Sequence, residues 1–229
     1  MLREQELLLP PKFSIPESLR PKSNQPLPQL DFETLHQLGE AGWSRVGLMV
    51  AFVDSEGQVM LMEHNGRDKN GHGALGPLGE TSKSAGPVIE QPLETLYRGI
   101  QEELGLERPS ELGLWMYREA GWTINRWPRG INYPGQYACA ISFPIFVPDA
   151  VKTQLLEMPR GTEEIGGIGF FAASEIDAMD DQCLRPGVRQ WLSQLDAEGL
   201  LDPSRFGRLE PLDFSPIYAS SLKDIELQQ

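Results

Sequence analysis

Cysteine and histidine are scarce in this chain of 229 residues, with two of the first and three of the second. Cys139 and Cys183 lack metal-ligand spacing, and two isolated thiols in a chain this long exclude a disulfide-stapled secreted scaffold. Cys139 lies in an apolar run and reads as a buried thiol. Long apolar runs are missing too. Nothing approaches the roughly 18 consecutive apolar residues that a membrane span needs. Leu7-Leu8-Leu9 before Pro10-Pro11 is too short for the core of a signal peptide. The expectation is a chain with no membrane partner in a reducing compartment, most simply cytoplasmic. Basic residues are outnumbered, 20 against 33 acidic ones, for a formal net charge of −13. That surface repels a polyanionic backbone, which argues against nucleic acid as a partner. A small anionic ligand stays open, because a bound divalent cation inverts the local field.

What is present suits one domain of roughly 150 residues with extensions, and a hydrophobic share of 40% is enough for a core. Residues 1–44 read as an irregular arm punctuated by Pro10, Pro11, Pro16, Pro21, Pro26 and Pro28. It carries one short helix, capped by Asp31 and ended at Gly39. The arm suits wrapping across a second subunit, which would make the chain a homodimer. Residues 45–198 carry periodic structure, and 199–229 return to irregular composition as a tail. Within the middle segment, residues 46–53 and 58–63 read as strands joined by a turn at Asp54-Ser55-Glu56-Gly57. A polar, glycine-rich loop follows from His64 to Gly73. Strands are expected over 112–118, 136–147 and 167–172, with a loop of aromatics and arginines between the first two. An amphipathic helix follows Pro186. A helix is expected over 92–104: Pro92 is tolerated in a first turn, and Gly105 suits the position after the last one. Leu93, Leu96, Tyr97, Ile100 and Leu104 mark its buried stripe. Helices packed on a mixed sheet follow from this order.

The informative stretch lies in that helix: Arg98-Gly99-Ile100-Gln101-Glu102-Glu103-Leu104-Gly105-Leu106. Glu90 stands eight residues before Arg98, and Gly76-Pro77-Leu78-Gly79-Glu80 precedes it as a loop. Alone, an arginine one turn before two glutamates is an ordinary solvated face with ion pairs. Here it comes with Glu90, the glycine loop, a preceding hairpin, and Glu163-Glu164 ahead of the aromatic Gly169-Phe170-Phe171. Together these resemble the signature of the Nudix hydrolase family over about residues 45–198.

The resemblance implies an α/β fold (α+β), an α/β/α sandwich with a mixed central sheet. It implies hydrolysis of a pyrophosphate bond in a nucleotide or nucleoside diphosphate derivative with Mg2+, or Mn2+ in its place. Such chemistry needs negative charge shielded so that water can attack phosphorus, and hard oxygen ligands suit that ion. By position, Glu102 and Glu103 would ligate metal beside the Gly79 carbonyl. Arg98 and Glu90 would brace loop against helix. Glu163 or Glu164 would serve as a further ligand or base.

Two departures stand out. The family places a glutamate directly after its arginine, one turn before the position of Glu103, and this chain has Gly99. A carboxylate is lost, and a glycine inside a helix costs about 1 kcal/mol relative to alanine. On that reading Gly99→Glu would raise activity or metal affinity. The family also has five residues between its loop glycine and the counterpart of Glu90, whereas ten separate Gly79 from Glu90. At strict spacing the glycine position would be Ser84. An insertion within residues 80–89 is the simpler reading, and it would carry Glu80 towards the metals. Two functional readings therefore stand: a hydrolase, and a catalytically impaired Nudix-fold protein that binds a nucleotide or regulates a partner. A purely structural subunit is the third.

Around the motif, Trp127, Arg129 and Tyr133 are candidates for substrate binding, by stacking on a base and meeting phosphate. Trp122 could stack and Arg126 meet phosphate in the same way; the plainer readings are that these aromatics cover a strand edge or a subunit contact and that the arginines stay solvated. His64 and His72 are candidate bases, against the plainer reading of solvated loop histidines.

Overall fold

The structure is a computed structural model that describes residues 12–22, 25–64, 74–85, 88–118, 121–129, 133–157, 165–202, 204, 208–215 and 217. In chain order the main elements are α1 (Phe32–Glu40), β1 (Arg45–Val53), β2 (Val59–His64), β3 (Ala74–Gly76) and β4 (Leu78–Thr81). A two-residue pair, β5 (Ser84–Ala85) and β6 (Val88–Ile89), leads into α2 (Pro92–Leu104). Then come β7 (Trp115–Tyr117), β8 (Thr123–Pro128), β9 (Tyr137–Phe146), α3 (Asp149–Glu157), β10 (Ile165–Phe171), α4 (Ala173–Ala178), α5 (Val188–Ala197) and β11 (Leu209–Pro211).

The sheet is mixed, as expected. Its order is β10-β2-β1-β9-β7-β11, with β3 on β2, β4 on β1 and β8 on β9. β1 and β9 run parallel over their length, and every other pair is antiparallel. Alternation along β1 builds a layer on each face, because successive side chains point to opposite sides. Leu48, Val50 and Phe52 meet Leu96, Ile100 and Leu104 of α2. Met49, Ala51 and Val53 meet Trp191, Leu192 and Leu195 of α5. Each of the larger side chains contributes roughly 1.5–3 kcal/mol on burial. The architecture is helix, sheet, helix.

Three expectations need correction. The segment read as a loop of aromatics contains β8, which pairs with β9 from Thr123↔Ser142 to Pro128↔Tyr137. The 199–229 segment is not simply an irregular tail: β11 extends the sheet beside β7, and Phe214 is buried with its ring 5.3 Å from that of Tyr97. Residues 149–157, assigned no element from sequence, form α3, which buries Val151 and Leu155.

The arm, where described, lies on its own domain. Phe13 packs edge-on against Trp43 and Tyr137. The Trp43 and Trp122 indole N–H groups donate to the carbonyls of Ser14 and Pro26. Leu19 and Leu30 are fully or nearly buried. Trp122 thus serves to hold the arm, and Arg126 stacks on Tyr137 beside Phe13. No described helix is long and apolar enough to cross a membrane.

Candidate functional site

Helix α2 starts and stops where its ends are satisfied. Gln91 caps it: its backbone N–H donates to Glu94 Oε2 at 2.7 Å, and its side-chain amide bridges the N–H and carbonyl of Leu30 in the arm. Gly105 ends the helix at φ 68°, a left-handed conformation that glycine adopts without strain. With the stripe of Leu96, Ile100 and Leu104 against the sheet, Arg98 and Glu102 are left on one flank.

Arg98 organises that flank. Its Nε donates to Glu90 Oε1 at 2.8 Å and its Nη2 to Glu90 Oε2 at 2.9 Å, a two-point clasp. Nη2 also donates to the Thr81 carbonyl at 2.7 Å, so the same guanidinium ties α2 to β4. Nη1 lies 3.0 Å from Glu80 Oε2 and 3.0 Å from Glu102 Oε2. All five donors of the fork are engaged. Glu90 is 2% exposed and receives two more bonds, from the Lys83 N–H at 2.9 Å and the Thr95 hydroxyl at 3.2 Å. Three carboxylates around one guanidinium leave an excess of negative charge that Lys83, 3.5 Å from Glu102 Oε1, only partly offsets. Burial raises the Glu80 carboxyl above the usual carboxylate range, against the lowering pull of Arg98.

The spacing departure has a local explanation. β5 and β6 pair antiparallel, with Ser84 opposite Ile89. The Glu90 N–H donates to the Lys83 carbonyl at 2.9 Å, which closes the excursion at its neck. The chain therefore returns to Glu90 despite its extra length. The Gly76 to Glu80 segment is also not a loop: Leu78–Thr81 is strand, paired with β1 from Gly47↔Thr81 to Val50↔Leu78. Thr81 turns its carbonyl to Arg98, and the period of two along a strand turns that of Gly79 to the same edge.

Other candidates are spread differently. Glu103 is buried, at 9% exposure. Glu163, Glu164 and His72 lie outside the described residues. His64 ends β2 and is not a solvated loop residue: burial, then the nearby Arg185 guanidinium, push its pKa down to about 4. The unfolded chain then binds the proton first, so stability falls as pH drops from 6.5 towards 4. His64→Gln is expected to remove that loss, up to roughly 3 kcal/mol over the interval, in urea unfolding at stepped pH. An unchanged slope would place the titration elsewhere.

Beside β4 lies a cavity of about 290 Å3. Trp127, Arg129 and Tyr133 line it, together with Gly79 and Glu80. Arg129 stacks on the Tyr133 ring at 3.9 Å. Reading the sequence missed Arg45 and Arg185, which complete a rim of three arginines on an otherwise acidic chain. No local signal marks them, since they come from β1 and from the approach to α5.

A divalent cation is compatible with this donor set. Among the described residues no three carboxylate, histidine or cysteine groups are gathered as a closed metal cage. Magnesium does not need one: it is commonly held by one or two carboxylates, with waters and substrate phosphates completing its shell. Glu80 and Glu102, converging on one nitrogen of Arg98, with the outward Gly79 carbonyl, are of that kind.

No family model and no curated protein matches the chain. Solved structures do. The MutT protein of Methanosarcina mazei Go1 is 14% identical, with 68% of this chain and 94% of that one covered and a TM-score of 0.46. A MutT Nudix hydrolase of Burkholderia pseudomallei is 20% identical over 66% and 96%, with a TM-score of 0.41. The Nudix domain of Shewanella oneidensis NrtR, solved with ADP-ribose, is 10% identical over 68% and 88%, with a TM-score of 0.43. The chain is similar to Nudix proteins in fold. At such identities the likeness to Nudix structures concerns architecture and carries nothing about activity.

Proposed function

We propose that this chain is a Nudix-type hydrolase that cleaves a pyrophosphate bond in a nucleotide or nucleoside diphosphate derivative, with magnesium or manganese as cofactor. One observation carries the reading: the Glu90–Arg98 clasp fixes α2 against β4, so that Glu80 and Glu102 converge on one nitrogen of Arg98 and Glu80 lines a cavity rimmed by arginines and aromatics. When bound, the cation shields phosphate charge and lowers the pKa of a water. The protein's own groups do the rest. Arg45, Arg129 and Arg185 attract and orient an anionic chain, and Trp127 and Tyr133 offer flat faces to a base. Arg98 keeps the carboxylates in register. Glu102 and Glu103 are the candidate ligands on the helix, with the Gly79 carbonyl beside them, and Glu163 or Glu164 is the candidate further ligand or base.

Gly99 favours a second reading, a Nudix-fold protein that binds a nucleotide-like ligand without turnover and reports it to a partner. The discriminating experiment is a panel of nucleoside diphosphate derivatives with Mg2+ or Mn2+, followed by product chromatography. Metal-dependent cleavage of one compound class supports the hydrolase. Saturable binding with no cleavage of any compound overturns it in favour of the second reading.

A further inference from the structure

The carboxylate missing at position 99 has a neighbour that fills its place. Gly99 sits on the face of α2 that meets β4. A Cβ built there would lie 3.2 Å from Leu78 Cδ2, and 3.3 and 3.4 Å from Glu80 Cβ and Cγ. The space in which a side chain at 99 would start is thus already used, and Glu80 uses it. Leu78 and Glu80 reach this face together because they are two residues apart in a strand. That is a reason for the glycine: any side chain at 99 would crowd the one arriving from β4.

Glu80 is also held in a defined pose. Its Oε1 accepts from the Thr81 N–H at 2.9 Å and its Oε2 meets Arg98 Nη1 at 3.0 Å, the nitrogen that also meets Glu102. Its side chain is 20% exposed, against 48% for Glu102, so it is set inward beside the cavity that it helps to line. Three carboxylates share the one guanidinium, so an added cation would be welcome next to Glu80 on electrostatic grounds.

We propose that Glu80 is the carboxylate that replaces the one absent at position 99, supplied from β4 instead of from the helix, and that it ligates the divalent cation with Glu102. This rests on the hydrolase reading above and deepens it. The small antiparallel pair of β5 and β6 is part of the same exchange. It takes up the chain between Glu80 and Glu90, which lets Glu80 stay in a strand while Glu90 still reaches Arg98.

The test is Mn2+ binding by the full chain, followed by calorimetry and by the electron paramagnetic resonance of the free ion. Three variants are compared with the wild type: Glu80→Gln, Gly99→Glu, and Glu80→Ala combined with Gly99→Glu. Glu80→Gln keeps the shape and an acceptor for Arg98, so its fold is retained; it is expected to weaken Mn2+ roughly 10- to 100-fold. Gly99→Glu alone is expected to bind no tighter than wild type, since Leu78 and Glu80 occupy its space. The combined variant removes the Glu80 carboxylate and most of its side chain, leaving the end of the Leu78 side chain to shift by a few tenths of an ångström, and moves the carboxylate to the helix; it is expected to regain most of the lost affinity. Wild-type affinity in Glu80→Gln would overturn the role of Glu80 and leave the hydrolase reading standing. A wild-type protein that binds no Mn2+ would overturn both.

Discussion

Replacing Arg98 by leucine is expected to lower unfolding stability by about 3–5 kcal/mol, the loss typical of removing one partner from a buried ion pair. The reason lies in Glu90 more than in Arg98. Glu80 and Glu102 have routes to water once the guanidinium is gone, but Glu90 is 2% exposed and is left with only the Lys83 N–H and the Thr95 hydroxyl. A buried charge with too few partners is among the few defects that cost so much. Urea unfolding measures it. The double variant Arg98→Leu with Glu90→Leu removes the stranded charge as well and is expected to recover most of the loss, because apolar replacement of a whole buried pair is often near neutral. The coupling between the two sites then exceeds 1 kcal/mol. A loss below 1 kcal/mol in the single variant would mean that Arg98 does not fasten α2 to β4.

How much of this was legible beforehand depends on whether its cause is local. Helix α2 was readable end to end, from Pro92 to Leu104, because a proline at its first turn and a glycine after its last state the ends outright. β1 and β2 were readable within a residue or two, since an apolar run, a turn and a second run leave few alternatives. β8 was not, because Trp127 and Pro128 with nearby arginines resemble a loop, and only pairing with β9 makes them strand. β4 was hidden for the same reason: Gly79 and Pro77 speak for a loop until β1 is laid alongside.

Within the candidate site, the clasp of Glu90 and Arg98 could be expected, because their types and spacing come from a recognisable motif. The neighbourhood of Glu80 and Gly99 could not be ranked from sequence, since nineteen positions separate them and their contact exists only through the packing of β4 on α2. Reading Leu78 to Thr81 as a strand would have put Leu78 and Glu80 on one face of it, but not α2 against that face. Arg45 and Arg185 gave no signal at all: each is an ordinary basic residue until the fold brings them to one cavity.

On the hydrolase reading, turnover is expected to fall to background with a chelator and to return with added Mg2+ or Mn2+, and Glu103→Gln is expected to lower kcat by roughly 10²–10³-fold, the cost of losing one electrostatic stabiliser. Glu103 lies one turn beyond Gly99, on the side of α2 that faces β4, and is 9% exposed. On the hydrolase reading, a divalent cation at this edge would engage the Glu103 carboxylate while drawing phosphate oxygens to the same place. The substitution keeps the shape and removes the charge, so it separates ligation from packing. Unfolding stability without metal is measured alongside, so that a loss of packing is told apart from a loss of ligation. The stabilisation that saturating Mn2+ confers on the wild type, which grows with the logarithm of ion concentration above its dissociation constant, is expected to shrink in the variant. Loss of activity with full metal-induced stabilisation would move Glu103 from the ion to the substrate. Unaltered kcat would remove it from the site.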